Sequence, residues 1–188
     1  DTLDGVVQDI IDERRGTEGG DDGQMDLLSI LLRAQNRGEQ TDQQLRDEVV
    51  TILLAGHDTT ALTLTYTWYL LSEHPEVRRR IHEELDAVVD GRPTMDDVRE
   101  FEYVEWAIRE ALRLYPPVYT IFREPTEDVQ LSGYPIPEGS AIMLPQWAVH
   151  RSPRFWDDPD AFDPERWRPE RRADRPRFAY FPFGGGPR

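Results

Sequence analysis

Residues 41–72 read TDQQLRDEVVTILLAGHDTTALTLTYTWYLLS, and this stretch predicts one long helix. Thr41 and Gln44 have the spacing of a capping box, and the acidic residues after them suit the positive end of the helix dipole. Between Val49 and Leu71 apolar residues fall on nearly every face, which is typical of a helix buried on all sides. We therefore expect the rest of the chain to be organised around this helix.

The segment AGHDTT at residues 55–60 does not suit ordinary packing in such a helix. Glycine costs about 1 kcal/mol relative to alanine in a helix interior, and a buried aspartate needs a partner. Ala55, Gly56 and Thr59 share one face through their spacing, so they leave a shallow groove beside a hydroxyl group. A flat ligand could lie in that groove. A threonine hydroxyl can also bond the carbonyl four residues earlier and loosen the helix locally.

Two other interpretations of this helix remain open on the sequence of the segment alone. About 20 apolar residues would suffice for a transmembrane span, but His57 and Asp58 would lie at mid-depth and no basic cluster flanks the segment. Gly56 could also serve only to let another helix pack closely.

Composition narrows the classes of protein. The 188 residues suffice for one domain, and the net charge is −15 with no lysine, which argues against nucleic acid as a partner. Such an acidic surface suits a protein that works in concentrated salt, where charge repulsion is screened within about 3 Å at 1 M. The absence of cysteine excludes disulfides and thiolate chemistry within these residues. The sequence begins inside a helical pattern and stops in a glycine-rich loop, so we expect a fragment of a larger protein.

Helical periodicity dominates the first part of the chain, and short extended segments follow it. The extended segments predict a small sheet rich in hairpins, and an irregular coil with many prolines and aromatic residues follows residue 149. The predicted helices are residues 1–15, 25–36, 41–72, 77–89 with a proline just before it, and 94–101 leading into 103–115; the predicted extended segments include 129–131 and 140–144.

Glu110 and Arg113 stand one helical turn apart in the last of these helices. At that spacing the two side chains can pair on the helix surface, which typically contributes only a few tenths of a kcal/mol. Taken alone, the pair predicts a solvated ion pair.

Four separated motifs, in this order and at this spacing, resemble those of the cytochrome P-450 superfamily of haem-thiolate monooxygenases. They are AGHDTT at residues 55–60, EALR at 110–113, PERW at 164–167 and FGGGPR at 183–188. The sequence has Trp167 where the family usually has another aromatic residue. The resemblance places the iron-ligating cysteine two positions after Arg188, beyond the last residue of this sequence.

The resemblance implies a fold that is mainly α (α+β), with a helical domain around a long central helix and a small β-rich region. On this interpretation residues 1–188 are a partial single domain, incomplete at its N-terminal side. Its helical part covers about residues 1–115, and the β-rich part and the coil cover about residues 116–188.

The resemblance also implies a cofactor and a catalytic pair. The family binds haem b between its central helix and the cysteine loop. Asp58 and Thr59 match the residues that deliver protons, with Thr59 holding an ordered water and Asp58 linking it to a proton supply. The alternative for Asp58 is a structural ion pair with an arginine, and His57 is interpreted as a helix residue and not a ligand. The residues of the oxygen and haem groove would be Ala55, Gly56 and Thr60.

Further positions match the cofactor contacts, the structural core and the substrate pocket of the family. Because a planar guanidinium binds carboxylates well, arginines suit the haem propionates. The cofactor-binding residues implied are Arg123, Phe183, Gly186 and Arg188; the buried structural ion network is Glu110, Arg113 and Arg166; and the pocket residues are Val118 and Ile121, which favour a hydrophobic substrate.

An arginine-rich segment precedes the glycine loop and suggests a partner. Opposite charges speed protein encounter, so this segment is a candidate docking patch for an acidic redox partner, a ferredoxin or a reductase, that passes on electrons from NAD(P)H. A solvated loop is the alternative. The arginines are Arg168, Arg171, Arg172, Arg175 and Arg177. We expect a cytoplasmic protein of a prokaryote adapted to high salt, with no membrane span in these residues.

The resulting hypothesis is a haem-dependent monooxygenase that inserts one oxygen atom of dioxygen into a hydrophobic organic substrate. Two alternatives remain. The first is a haem-thiolate isomerase, dehydratase or peroxygenase of the same fold, against which the pair of Asp58 and Thr59 argues. The second is a non-catalytic helical interaction module.

Overall fold

The computed structural model describes residues 2–17 and 26–186, so Arg188, one of the predicted cofactor residues, lies outside the described residues. Helices dominate, as predicted, and their boundaries agree with the sequence pattern to within a few residues. The α-helices are α1 (Thr2–Thr17), α2 (Leu27–Asn36), α3 (Asp42–Glu73), α4 (Pro75–Val88), α5 (Met95–Glu100), α6 (Tyr103–Leu114), α7 (Gln146–His150) and α8 (Pro169–Arg172).

The chain divides into two compact units, and the division falls between Thr60 and Ala61, within α3. The first unit has a small core of aliphatic side chains from α1, α2 and the start of α3. The second unit has a larger core in which α4 packs on α6, together with an aromatic cluster beneath the following coil. The buried residues of the first core are Val7, Ile11, Leu32 and Leu45; those of the second include Leu70, Leu71, Val77, Ile81, Ala107, Ala111, Leu114 and Phe162.

Local sequence signals account for the helix starts. The Thr41 hydroxyl accepts from Gln44 N–H at 3.2 Å, and the Gln44 side chain accepts from Thr41 N–H at 2.8 Å, which completes the predicted capping box. Thr94 and Asp97 form the same reciprocal arrangement before α5. Pro75 occupies the first turn of α4, where its missing N–H has no helical acceptor to lose.

The start of α6 is capped by a residue from another helix. The Glu84 carboxylate, on α4, accepts hydrogen bonds from the backbone N–H groups of Glu102, Tyr103 and Val104 at 2.8–2.9 Å. These N–H groups have no acceptor within α6, so the carboxylate satisfies them and adds a favourable charge at the positive end of the dipole. Glu84 therefore fixes α6 against α4.

The extended segments form two separate two-stranded antiparallel sheets. The predicted hairpin-rich sheet is thus divided, because the first and last strands pair with each other across the intervening hairpin. In that hairpin Ser132 and Gly133 both have positive φ, as a tight turn between paired strands requires. The strands are β1 (Ile121–Arg123), paired with β4 (Ile142–Leu144), and β2 (Val129–Leu131), paired with β3 (Tyr134–Ile136).

The prediction that α3 is buried on all sides is wrong for this chain. Leu54, Leu64 and Trp68 are 55%, 53% and 64% exposed. Hydrophobicity along a helix indicates that something covers it, but the residues described here do not cover these faces. None of the described helices is both long and apolar enough to cross a membrane.

The coil beyond α7 contains only short helical turns, yet it encloses large aromatic side chains. Trp156 and Trp167 are almost fully buried there, with their ring centroids 5.8 Å apart. Apart from α8, the turns are 3-10 helices at Pro164–Trp167 and Arg177–Ala179.

We expect the substitution Glu84→Ala to destabilise the protein by about 1–3 kcal/mol, because it leaves three backbone N–H groups at the start of α6 without their acceptor. The matched control is Glu83→Ala, which removes only an exposed pair with Arg79 and should cost less than about 1 kcal/mol. Urea denaturation of the three proteins measures the difference, and equal losses from the two substitutions would contradict the capping role.

Candidate functional site

A buried carboxylate lies at the centre of the second unit. Glu110 is fully buried on α6, and its Oε1 and Oε2 accept from Arg113 Nη2 and Nε at 2.8 and 2.9 Å. Arg166, from the coil, donates Nε to the same Oε1 at 3.0 Å. The structure therefore brings together Glu110, Arg113 and Arg166, which the resemblance named as a structural network, and the pair is not the solvated one that its spacing alone suggested.

The two arginines use their remaining donors on backbone carbonyls of the coil. Arg113 Nη1 donates to the carbonyls of His150 and Pro159 at 2.8 and 2.6 Å, and its Nη2 donates to Ala161 at 2.9 Å. Arg166 Nη2 donates to the carbonyl of Asp158 at 2.5 Å. The carbonyl of Asp158 also accepts from the N–H of Ala161 at 3.2 Å. The arginines add charged donors to carbonyls of a largely irregular segment, so the network holds the coil in place.

Trp167 is a member of this network that sequence reasoning missed. Its indole N–H donates to Glu110 Oε2 at 3.1 Å, and Asp163 N–H donates to Glu110 Oε1 at 3.2 Å. The sequence had marked Trp167 only as a departure from the usual aromatic residue. Because indole carries an N–H and phenylalanine does not, the departure adds a hydrogen bond to a buried charge.

The glycine loop lies at the end of the described residues. Phe183 is 88% exposed, and Gly184 and Gly186 have φ values of +77° and +101° that a side chain would strain. A Cβ atom at Gly184 would lie 3.1 Å from Cδ1 of Ile121, so the loop runs close to β1. Of the predicted cofactor residues in this loop, Phe183 and Gly186 lie within the described part.

The other predicted positions in the second unit lie on or before β1. Arg123 is exposed, and its Nη1 donates only to the carbonyl of Phe122, at 3.1 Å, among the described hydrogen bonds. Val118 is 43% exposed and Ile121 is partly buried beside the loop. The exposed Arg123 and the apolar side chains of Val118 and Ile121 thus lie on the segment that contacts the loop at Gly184.

The AGHDTT segment lies in the first unit with most of its side chains exposed. A Cβ atom added to Gly56 would meet no atom within 4 Å, so the helix has open space there. Thr59 Oγ1 donates to the carbonyl of Ala55 at 2.5 Å, which is the interaction that the sequence suggested. Asp58 Oδ1 lies 3.0 Å from His57 Nδ1, and both side chains are exposed, so the buried aspartate expected from the sequence is not found in this chain. Thr60 is also exposed.

The arginine-rich segment does not present five equivalent charges. Arg168 pairs with Glu165, and Arg171 Nη1 lies 2.8 Å from Asp163 Oδ2. Arg175 packs over Trp156 with its Cζ atom 3.9 Å from the ring centroid. Burial is the main cause that lowers the pKa of Arg175 from its ordinary value. Arg172 and Arg177 are exposed and form no salt bridge within the described residues.

A mainly helical chain with these four motifs has the features of part of a haem domain, and comparisons with known proteins give the family. The model of the cytochrome P-450 family matches residues 1–188. This chain therefore belongs to the cytochrome P-450 family, and the predicted fold class is confirmed.

Several bacterial relatives are similar over almost the whole chain. Cyclooctatin synthase of Streptomyces melanosporofaciens is 40% identical over an alignment of 190 positions, which covers 99% of this chain and 41% of the relative. Cyclooctat-9-en-7-ol 5-monooxygenase of the same organism is 43% identical over 96% of this chain and 40% of its own length. Pentalenene oxygenase of Streptomyces avermitilis is 42% identical over 97% of this chain and 41% of its own length. The chain thus spans about two fifths of the length of these relatives.

A solved structure agrees with the fold. The crystal structure of a mutant cytochrome P450DA haem domain superposes with a TM-score of 0.86 at 36% sequence identity. The match covers 98% of this chain and 41% of that structure.

The described residues fit the edge and face of a haem group, which the family implies. Within the first unit, the open space at Gly56 suits a flat ring. Within the second unit, the exposed Phe183 suits an apolar ring, and the exposed Arg123 suits carboxylates such as its propionates. The sequence contains no cysteine, and the described residues contain no group of histidine and acidic side chains that could hold a metal ion.

We expect Glu110→Gln to destabilise the protein by about 3–5 kcal/mol, because it leaves two buried guanidinium groups without their counter-charge. Glu105→Gln is the matched control on the same helix, since Glu105 pairs with Arg109 at 2.5 Å on the surface and its loss should cost less than about 1 kcal/mol. Urea denaturation followed by circular dichroism measures both values. A loss of less than about 1 kcal/mol for Glu110→Gln would contradict the structural role of the network.

Proposed function

We propose that the protein is a haem-dependent monooxygenase that inserts one oxygen atom of dioxygen into a hydrophobic organic substrate. The observation that carries this proposal is a threonine hydroxyl next to a glycine that opens one face of α3, in a chain of the cytochrome P-450 family. The relatives named as a monooxygenase and an oxygenase support it. When bound, thiolate-ligated haem supplies the oxygen-activating chemistry.

In this proposal the first unit contributes the helix face that approaches the ring. Ala55 and Gly56 carry the smallest side chains of the segment, so a flat group can come close to the backbone there. Thr60 would line the same groove. The hydroxyl of Thr59 stands on this face because one turn of helix separates it from Ala55.

Thr59 and Asp58 are the proposed catalytic residues. A hydroxyl oxygen can hold a water molecule, and a carboxylate linked to solvent can replace the proton that this water gives up. Asp58 is exposed in this chain, which is consistent with a connection to solvent. These two residues would together deliver protons to the groove at Gly56.

The second unit contributes the proposed cofactor contacts. Arg123 would bind a propionate, as would Arg188 by its place in the motif, and Phe183 and Gly186 would lie against the ring. The family places the cysteine ligand two residues after Arg188. The role of Glu110, Arg113 and Arg166 would be to stabilise the fold and not to take part in the chemistry, because they are buried and their polar atoms form structural hydrogen bonds.

The proposed substrate is hydrophobic. Val118 and Ile121 present aliphatic side chains on the segment that reaches the glycine loop, and neither carries a group that would bind a polar substrate. The cytoplasmic location in a prokaryote stays a prediction. Adaptation to high salt stays one as well, and its basis is the charge of −15 without lysine.

An acidic redox partner is the proposed electron donor, with NAD(P)H as the original source. The ion pairs of Arg168 and Arg171 reduce their contribution to the patch, so Arg172 and Arg177 are the charges we expect to matter most.

We expect Thr59→Ala to uncouple the reaction, because the water at this position loses its hydroxyl partner. Product formed per NAD(P)H consumed should fall by about tenfold or more, with hydrogen peroxide appearing in its place. The matched control is Thr65→Ala, since Thr65 makes the same hydrogen bond to the carbonyl four residues earlier, at 2.8 Å, outside the motif. If coupling is unchanged in Thr59→Ala, Thr59 has no role in proton delivery.

We expect the double substitution of Arg172→Glu and Arg177→Glu to slow reduction by an acidic ferredoxin at least about tenfold at low salt and to reduce its salt dependence. The control with equal change of charge is Arg78→Glu with Arg92→Glu, two exposed arginines outside the segment. Stopped-flow reduction at several salt concentrations measures both. Equal slowing by the two pairs would indicate an effect of net charge and would contradict a local patch.

A further inference from the structure

Two buried side chains of α7 bind both backbone polar groups of one residue of the coil, Phe181. His150 Nε2 accepts from the backbone N–H of Phe181 at 2.9 Å, and Gln146 Nε2 donates to the carbonyl of Phe181. Gln146 and His150 are four residues apart, so they lie on one face of α7, and both are fully buried. Phe181 thus has its two backbone polar groups satisfied by side chains, as a neighbouring strand would satisfy them.

Phe181 also anchors the glycine loop. The carbonyl of Phe181 accepts from the N–H of Gly184 at 2.9 Å, which closes the turn that contains Phe183. Gly184 has φ +77°, so the turn requires a backbone conformation that glycine adopts without a steric cost. A displacement of Phe181 would therefore move the turn and the exposed Phe183 with it.

The hydrogen bond from Phe181 determines which ring nitrogen of His150 carries the proton. Since Nε2 accepts a hydrogen bond, the proton of the neutral ring is on Nδ1, which is buried near the backbone of Leu112 and Arg113 without a well-aligned hydrogen bond among the described residues. Burial, and then the positive charge of Arg113, lower the pKa of His150 to about 4. The ring therefore stays neutral around pH 7, and only the neutral ring can accept from Phe181.

Both side chains carry a cost that packing alone does not explain. In the described part of the chain, Gln146 Oε1 is buried without a partner, and His150 Nδ1 is buried without a well-aligned one; such atoms are expensive to bury. Apolar side chains of similar size would fill the same space without that cost. The hydrogen bonds that these two residues form with Phe181 offset this cost.

We propose that Gln146 and His150 are positioning residues that clamp Phe181 and thereby set the conformation of the loop at residues 181–186. The clamp also connects the loop to the buried charges, because Arg113 donates to the carbonyl of His150 at 2.8 Å. The consequence for cofactor binding rests on the proposed function, since that loop is the proposed haem contact. The clamp itself depends only on the hydrogen bonds.

Amide hydrogen exchange on the purified protein tests the clamp. His150→Leu removes the acceptor and should speed exchange of the amides in residues 181–186 about tenfold, while the amides of α6 keep their protection. His150→Gln should restore slow exchange, because the amide oxygen of glutamine can occupy the place of Nε2 and accept from Phe181. Gln146→Leu should loosen the same residues.

The matched control is His82→Leu, since His82 is an exposed histidine of α4; it should leave exchange in the loop unchanged. Unchanged exchange in His150→Leu would overturn the clamp. An equal loss of protection in α6 would overturn it as well, because His150 would then be an ordinary core residue.

Haem retention separates this inference from the proposed function. If the function is right, His150→Leu should lose haem faster than the unmodified protein, and His150→Gln should not. A full-length protein, including the residue two positions after Arg188, that binds no haem would refute the proposed function, and the exchange measurement would still decide whether the clamp exists.

Discussion

The second unit depends on one buried carboxylate. Glu110 is fully buried and accepts from two guanidinium groups, an indole N–H and a backbone N–H. Removing such charges from water is costly, so the network stabilises the fold only while all its partners are in place. Its main consequence is specificity, because the arginines fix carbonyls of a coil that contains only short helical turns.

From this carboxylate a continuous set of contacts reaches the region proposed to bind haem. Arg113 holds the carbonyl of His150, the side chains of α7 hold Phe181, and Phe181 closes the turn of the glycine loop. A ligand contact on an irregular loop needs such support, since loops are otherwise the least stable parts of a fold. The buried ion network and the proposed cofactor contacts are therefore parts of one structural arrangement.

Local signals in the sequence predicted much of the fold. The capping residues Thr41 and Thr94 mark helix starts as expected, and the four motifs identified the family, which the comparisons confirm. Long-range contacts were not predictable in this way. Glu84 caps a helix 18 residues later, and His150 bonds a residue 31 positions away, and no periodicity or motif marks either contact. The burial of α3 was overestimated because hydrophobicity indicates a need for cover and does not show what provides it.

Native-state hydrogen exchange as a function of denaturant tests most directly whether the buried network unites α6 and the coil. Two free energies of opening are compared: that of the α6 amides and that of the protected amides in residues 157–181. If the Glu110 network joins the two segments, they should open together with the same free energy. Opening of the coil at a much lower free energy, with α6 still protected, would contradict the dependence of the coil on this carboxylate.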